Sequence, residues 1–345
     1  MKNNIETQKF IKSLESDLTK NRKTIETENE NETCFIIKPI NNWIDDAKKS
    51  PIPKMIFSEF WYQNELSILF ADTNVGKSIL ALQIGNCVAK GISIPEFKNE
   101  LEPQKVLLFD FELSPKQVEN RYSANYQDHY VFNDNLLRVE INPLEPLPAM
   151  YDSFDDFLCT SIESAIVAHG AKIIIIDNLT YLKTETEKSK DAIPLMRFLN
   201  EQKKKHGLSI LVLAHTPKRN SSRPITVNDL MGSKMLSNFC DSIFAISFSA
   251  EGKCIRYIKQ IKQRNTELIY GAENVVVCKL EKEHNFLQFN FQSFDDEANH
   301  LVKTSKDDIY HEIKDLKAKN MSNVSIAEKL NMSEGNVRKI LKANE

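Results

Sequence analysis

No apolar run in the 345 residues approaches the ~20 needed for a helix to cross a bilayer. The opening residues, Met1-Lys2-Asn3-Asn4-Ile5-Glu6, carry none of the apolar stretch of a secretory signal. The cysteines (Cys34, Cys87, Cys159, Cys240, Cys254, Cys278) are scattered with no C-x-x-C spacing, which argues against a zinc site or a disulfide framework. These absences lead to the expectation of reduced thiols in a cytoplasmic protein with no membrane partner. There is no internal repeat, and no primase or zinc module. Positive charge is not in excess: a net charge of −3 excludes a surface coated with the counter-charge of nucleic acid.

What is there is an ordinary globular balance, 41% hydrophobic and 27% charged, with length for one sizeable core and a small appendage. Charge is distributed unevenly. From Gln202 to Arg264 twelve Lys/Arg stand against three Asp/Glu, so a nucleic acid meeting the main domain would meet it there. A solvated basic face is the alternative.

Residues 1–50 read as a polar arm and lead-in, with Phe10, Ile11, Leu14 and Leu18 at helical spacing. Within 51–294, short apolar runs alternate with helical patterns. Strands are expected at Leu66–Ala71, Val106–Phe111, Leu136–Ile141, Lys172–Asp177, Ser209–His215 and Ser242–Phe248. Helices are expected at Ser78–Ala89, Pro115–Asn125, Phe154–Ala168, Ile193–Lys204 and Leu230–Phe239. Continuous Ile/Leu/Val strands separated by crossovers indicate an α/β fold, a mostly parallel sheet with helices on both faces. Three closely spaced strands at 255–263, 275–280 and 286–291 then suggest an antiparallel extension. Residues 295–304 read as a linker and 305–345 as a small all-α unit.

Ala71-Asp72-Thr73-Asn74-Val75-Gly76-Lys77-Ser78 follows a strand and opens a helix. This is the Walker A pattern, with Ala71 where the first glycine is expected. Asp72, Thr73, Asn74, Val75, Gly76, Lys77, Ser78 and Ile79 are the expected nucleotide-binding residues. Backbone N–H groups of such a loop cradle phosphates, with Lys77 reaching the β- and γ-phosphates of ATP and Ser78 holding Mg²⁺. Ile173-Ile174-Ile175-Ile176-Asp177 delivers one carboxylate at a strand end, a Walker B candidate to orient the metal shell. Val106-Leu107-Leu108-Phe109-Asp110-Phe111-Glu112 delivers another. Glu112 is the candidate base that polarises the attacking water, with Asp110 the second choice. Glu112 could instead be a helix N-terminal carboxylate.

The P-loop, Phe-Asp-Phe-Glu-Leu-Ser and Ile-Asp-Asn-Leu resemble the RecA-like hexameric helicases, of the DnaB type and the RepA plasmid type. The resemblance covers about residues 60–292 and includes Lys259-Gln260-Ile261-Lys262-Gln263-Arg264-Asn265. It implies that Glu112 is the catalytic base and that Arg121 contacts the nucleotide base. It implies that His215, ending the strand Leu213-Ala214-His215, senses the γ-phosphate, and that Lys262 and Arg264 reach a neighbouring subunit's γ-phosphate. The alternative for that pair is a charged edge strand. A homo-oligomer, expected to be a hexamer, follows from sharing the site. The polar segments after Asp177 and His215 would line a channel, with Lys218, Arg219 and Arg223 on single-stranded DNA; a surface loop is the alternative.

The spacing of Ile326-Ala327-x-x-Leu330-Asn331-Met332-Ser333-x-x-x-Val337 matches a helix-turn-helix. Ser333 would cap a recognition helix offering Asn336, Arg338 and Lys339 to duplex DNA. With nine Lys/Arg against seven Asp/Glu in 303–345, a protein-docking module stays open. The reading is an ATP-hydrolysing helicase or translocase, in replication of a plasmid or mobile element. The alternatives are an ATP-switched DNA-binding regulator and a slow ATPase acting as loader or scaffold.

Overall fold

The computed structural model describes residues 34–178, 192–217, 219–231, 233–303, 306–330 and 332–343. The chain divides into two units, Met1–Ile52 and Pro53–Glu345. In the first, one helix, α1 (Ile40–Ala47), has no buried residue, and Phe35, Ile36, Ile37 and Ile40 are exposed.

The second unit is built on a nine-stranded sheet. In chain order its elements are a hairpin of β1 (Met55–Phe57) and β2 (Trp61–Tyr62), then β3 (Leu66–Ala71) and α2 (Lys77–Lys90). Next come β4 (Val106–Asp110), α3 (Pro115–Arg121), a short pair β5 (Ser123–Ala124) and β6 (Asp128–His129), and β7 (Leu136–Val139). There follow α4 (Phe154–His169), β8 (Ile173–Asp177), α5 (Ala192–His206), β9 (Ser209–His215), α6 (Ser233–Phe239) and β10 (Ser242–Phe248). The sheet closes with β11 (Ile255–Lys262), β12 (Val275–Glu283) and β13 (Phe286–Asp295). Three helices end the chain: α7 (Lys306–Ala318), α8 (Asn323–Lys329) and α9 (Glu334–Ala343).

Spatial order is β13-β12-β11-β10-β3-β9-β8-β4-β7, parallel from β10 to β7 and antiparallel from β10 to β13. The α/β class and the antiparallel extension expected from the sequence are both present. Both faces are covered, which is why the central strands read as unbroken apolar runs. Along β3, Leu69 and Ala71 join the core beneath α2, while Leu66, Ile68 and Phe70 join the core beneath α4, α5 and α6. The register sets Ala71 level with His215, and Asp110 level with Asp177. The residues expected to do chemistry therefore share one edge, the C-terminal ends of the parallel strands.

Two expectations are corrected. The helix expected over 115–125 ends at Arg121, because the chain reverses into the β5–β6 pair and buries Tyr122. The described residues of the expected linker 295–304 do not hang free. A turn at Glu297–His300 is packed down, with Glu297 1% exposed. Its carboxylate accepts from Lys259 Nζ at 2.5 Å, Ile225 N at 2.7 Å and Tyr257 Oη at 3.1 Å. Lys259 points inward from β11 and needs a buried counter-charge, so this acidic run serves the core. The last three helices enclose their own small core of Ile313, Leu316, Ile326, Ala327, Leu330 and Val337. Among the described residues no helix is long and apolar enough to cross a membrane.

Candidate functional site

Between β3 and α2 the chain makes a tight phosphate-loop turn. Ala71 is still extended strand and fully buried, so the absent first glycine costs nothing in backbone conformation. The left-handed conformations fall later, at Asn74 (φ 63°) and Gly76 (φ 116°). Gly76 is required on two grounds: its φ disfavours any side chain, and a Cβ there would lie 2.8 Å from the Phe289 ring. Thr73 and Asn74 are exposed and Asp72 is half-buried, whereas Val75 and Ile79 turn into the core. Ile79, expected among the nucleotide contacts, gives its N–H to Gly76 O within the helix. Its side chain is a packing residue.

Lys77 is buried, its ammonium donating to Ala71 O at 3.0 Å and Asp72 O at 3.1 Å. Burial pulls its pKa below the usual lysine value, against the pull of Asp177, Glu112 and Asp72. Lys77 Nζ also lies 3.1 Å from His215 Nδ1, and His215 Nε2 lies 3.2 Å from Glu112 Oε1. An ammonium is donor-only, so Nδ1 accepts from Lys77, while Nε2 faces both Glu112 Oε1 and, at 2.9 Å, the Asn178 amide nitrogen. The imidazole is thus a bridge from the phosphate-loop lysine to the candidate base. The Asn178 amide also donates to Glu112 Oε1. The His215 bond, with help from Lys77 and Asn178, holds Glu112 below the usual carboxylate range against its partial burial. Glu112 is kept ionised, as a water-polarising base must be.

Asp110, the second choice for that base, has a structural part. Its Oδ1 accepts the N–H groups of Glu112 and Leu113, and its Oδ2 pairs with Arg138 Nε at 2.9 Å. With the Ser114–Gln117 capping box at the start of α3, this fixes the turn that presents Glu112.

Asp177 is 2% exposed, and its Oδ1 has no hydrogen-bond partner among the described residues. Burial raises its pKa to about 6, opposed by the Ser78 hydroxyl that donates to it. A buried carboxylate oxygen without a partner beside a loop hydroxyl suits a divalent cation. Among the described residues no cluster of three or more His, Cys, Asp or Glu could hold a metal unaided. Ser78 and Asp177 fit Mg²⁺, whose shell is completed by phosphate oxygens and water.

At the other end of the sheet the expected Lys-x-Arg pair divides. Lys262 donates to Ser237 O at 2.5 Å and Cys240 O at 2.8 Å, satisfying carbonyls at the end of α6. Burial, then Arg264, lowers its pKa. Within the chain it caps the end of α6. Arg264 is 53% exposed and rests 3.2 Å from Asp241 Oδ1. Asp241 in turn accepts from Lys203 Nζ at 2.6 Å and from Leu66 N at 2.9 Å. Arg264 is therefore tied to the first residue of β3, while the phosphate loop follows the last. The six residues of β3 span about 17 Å, so Arg264 cannot reach its own subunit's nucleotide site.

Arg121 ends α3, where Lys282 from β12 donates to Asn120 O at 2.6 Å. Of the expected DNA contacts, Lys218 lies outside the described residues, as do Asn331 of the expected helix-turn-helix and the segment 179–191 after Asp177 and Asn178. Arg219 donates to Ser247 Oγ at 3.1 Å and Arg223 O at 2.6 Å. Ser333 Oγ accepts from Asn336 N at 3.2 Å, the expected cap. Asn336, Arg338 and Lys339 are exposed on α9, with Arg338 paired to Glu334 one turn away.

Sequence reasoning missed Asn178, Thr216 and Arg138. Thr216 donates to Asp72 Oδ1 at 2.9 Å. The first two each follow a strand-ending functional residue, a position that could have marked them. Arg138 reaches Asp110 through the β4–β7 pairing, which leaves no local signal.

The profile of the AAA domain family matches residues 37–221, more than half of the chain. The chain belongs to the AAA domain family. This AAA domain holds a P-loop ATPase fold of the RecA-like kind, with the loop, the strand order and both carboxylate-bearing strands in place. Among solved structures it is similar to a KaiC-like protein of the hyperthermophilic archaeon Pyrococcus horikoshii OT3. That likeness is 13% in identity and 0.46 in TM-score, covering 66% of this chain and 90% of that one. No curated protein matches the sequence.

Proposed function

We propose that the protein is a Mg²⁺-ATP-hydrolysing ring motor on DNA, a helicase or translocase, whose active sites are each completed by a neighbouring copy. The observation that carries this is the separation of Arg264 from the phosphate loop by the length of β3, with its guanidinium half exposed. An arginine so placed can meet a nucleotide only in another subunit. In the ring, Lys77 and the 72–78 loop grip the phosphates and Arg121 flanks the base. Ser78 and Asp177 would hold Mg²⁺, which when bound would supply neutralisation of the phosphate charge. Glu112 takes the proton of the attacking water, and Arg264 of the next copy stabilises the charge on the transferred group. His215, touching both Lys77 and Glu112, reports γ-phosphate occupancy to the loop that follows β9. Single-stranded DNA would contact that loop through Lys218, Arg219 and Arg223, and duplex would meet α9 as the second helix of a helix-turn-helix.

A second reading is an ATP-switched regulator that binds one duplex site without unwinding. It is favoured by the capped, exposed face of α9. One pair of assays separates them: ATP turnover with and without single-stranded DNA, beside displacement of a labelled strand from a forked duplex. The motor requires stimulation by single strands and ATP-dependent displacement. Turnover indifferent to single strands, with tight duplex binding and no displacement, would leave the regulator.

A further inference from the structure

The loop after His215 is held down by the end of the chain. Val302 N donates to Ser221 O at 3.2 Å, and Ile225 N donates to Glu297 at 2.7 Å. The Arg223 guanidinium donates to Lys329 O, in the last turn of α8, where carbonyls lack helical partners and the dipole is negative. A cleft of about 580 Å³ lies between the two surfaces, lined by Arg219, Asn220 and Arg223 on one side and by Glu328 and Lys329 on the other. One of the cations lining this cleft is thus engaged by a helix end.

We propose that the C-terminal three-helix unit is a clasp on this loop, and that single-stranded nucleic acid and the end of α8 compete for Arg223. Release of the clasp frees the guanidinium for phosphate. It also frees a segment that starts directly beyond His215, so the three-helix unit acts on the nucleotide site through the loop. This rests on reading the loop as the strand-contacting surface, and it adds the regulator of that surface.

The test uses two charge-neutral variants of the full chain, so that no change in affinity arises from added charge. Val302→Pro removes the N–H given to Ser221. Leu301, with φ −80° and ψ 144°, already has the backbone that a residue before proline adopts. Leu330→Ala loosens the end of α8 from its small core and carries the test if the proline variant fails to fold. Labelled oligothymidylate binding is followed by anisotropy, and amide exchange is followed across residues 219–231. The clasp requires faster loop exchange and about three- to tenfold tighter oligonucleotide binding. Unchanged loop exchange in folded variants overturns the clasp, whatever the oligonucleotide does. Faster exchange with unchanged affinity overturns the competition and leaves the loop as a strand contact. Faster exchange with no binding by any form, wild type included, removes the strand-contacting reading and the competition with it.

Discussion

The two ends of the parallel strands handle charge in opposite ways. At the C-terminal ends, Lys77, Glu112, Asp177 and His215 are crowded together, Lys77 and Asp177 are buried, and Lys77, Glu112 and Asp177 are shifted in pKa by burial and by their neighbours. At the N-terminal ends, Asp241 and Lys203 form a tight base from which Arg264 projects into solvent. One end is built to enclose a ligand and the other to present a single cation. A buried lysine beside a buried carboxylate lifted to about 6 marks the first as a place for chemistry. The second has no chemistry of its own, and its worth depends on what is brought to it.

The largest effect should come from taking away the projecting cation. Arg264→Ala is expected to lower ATP turnover by about 10³ while leaving nucleotide affinity near the wild-type value. The comparison is sharpened by mixing this variant with Lys77→Ala. Each is inactive alone, but a mixed assembly juxtaposes an intact loop from one with an intact Arg264 from the other. Recovered turnover on mixing is the expected result. Two inactive proteins that stay inactive together would mean that Arg264 acts within its own chain or not at all.

Glu112→Gln should follow, with turnover down by roughly 10²–10³ and ATP still bound. The His215 bond that holds Glu112 ionised can form with the amide as well, so the loop should keep its shape. Turnover within a few-fold of wild type would take the base assignment away from Glu112.

Much of the enclosed end was legible in the sequence because it is made of strand termini. An apolar run closing on Asp, Glu or His states which end of the strand its carboxylate or imidazole occupies, and β4, β8 and β9 all followed that rule. The helix cap at Ser333 was legible for the same local reason. What escaped depends on pairings distant in sequence. Lys262 and Arg264 read as a matched pair, but β11 turns Lys262 against the end of α6 while Arg264 leaves the strand for solvent. Asp110 read as a rival base until its carboxylate was found accepting the turn's own N–H groups. Glu297 read as a solvated linker because nothing near it announces that Lys259, on β11, is buried.

Asp241→Asn is expected to act through Arg264, with a smaller effect. The lost ion pair leaves the guanidinium less fixed, and turnover should fall about tenfold. Burial works against ionisation of Asp241, yet Lys203, the Leu66 N–H and Arg264 hold its pKa below the usual aspartate value. Mixing with Lys77→Ala should restore activity as it does for Arg264→Ala, since that variant supplies a properly held arginine. A general loss of structure would give no such rescue, so the mixing result separates positioning from stability.

The mildest probe is pH. Asp177 is pushed up to about 6 by burial, so its proton competes with the metal near neutrality. The raised value means that ionised Asp177 is disfavoured in the empty site; the proton is retained as pH falls through 6, and the cation must displace it. Magnesium-dependent nucleotide affinity should therefore be flat above about pH 7 and weaken by up to roughly tenfold per unit below 6. Metal-free nucleotide affinity should show a shallower slope, because it does not require Asp177 to be ionised. At the other end of the sheet Asp241 titrates far lower, so occupancy of the loop should weaken before the hold on Arg264 does. Calorimetric titrations at pH 7.5, 6.0 and 5.0, with and without magnesium, read this directly. Identical slopes with and without magnesium would place the metal on some group other than Asp177.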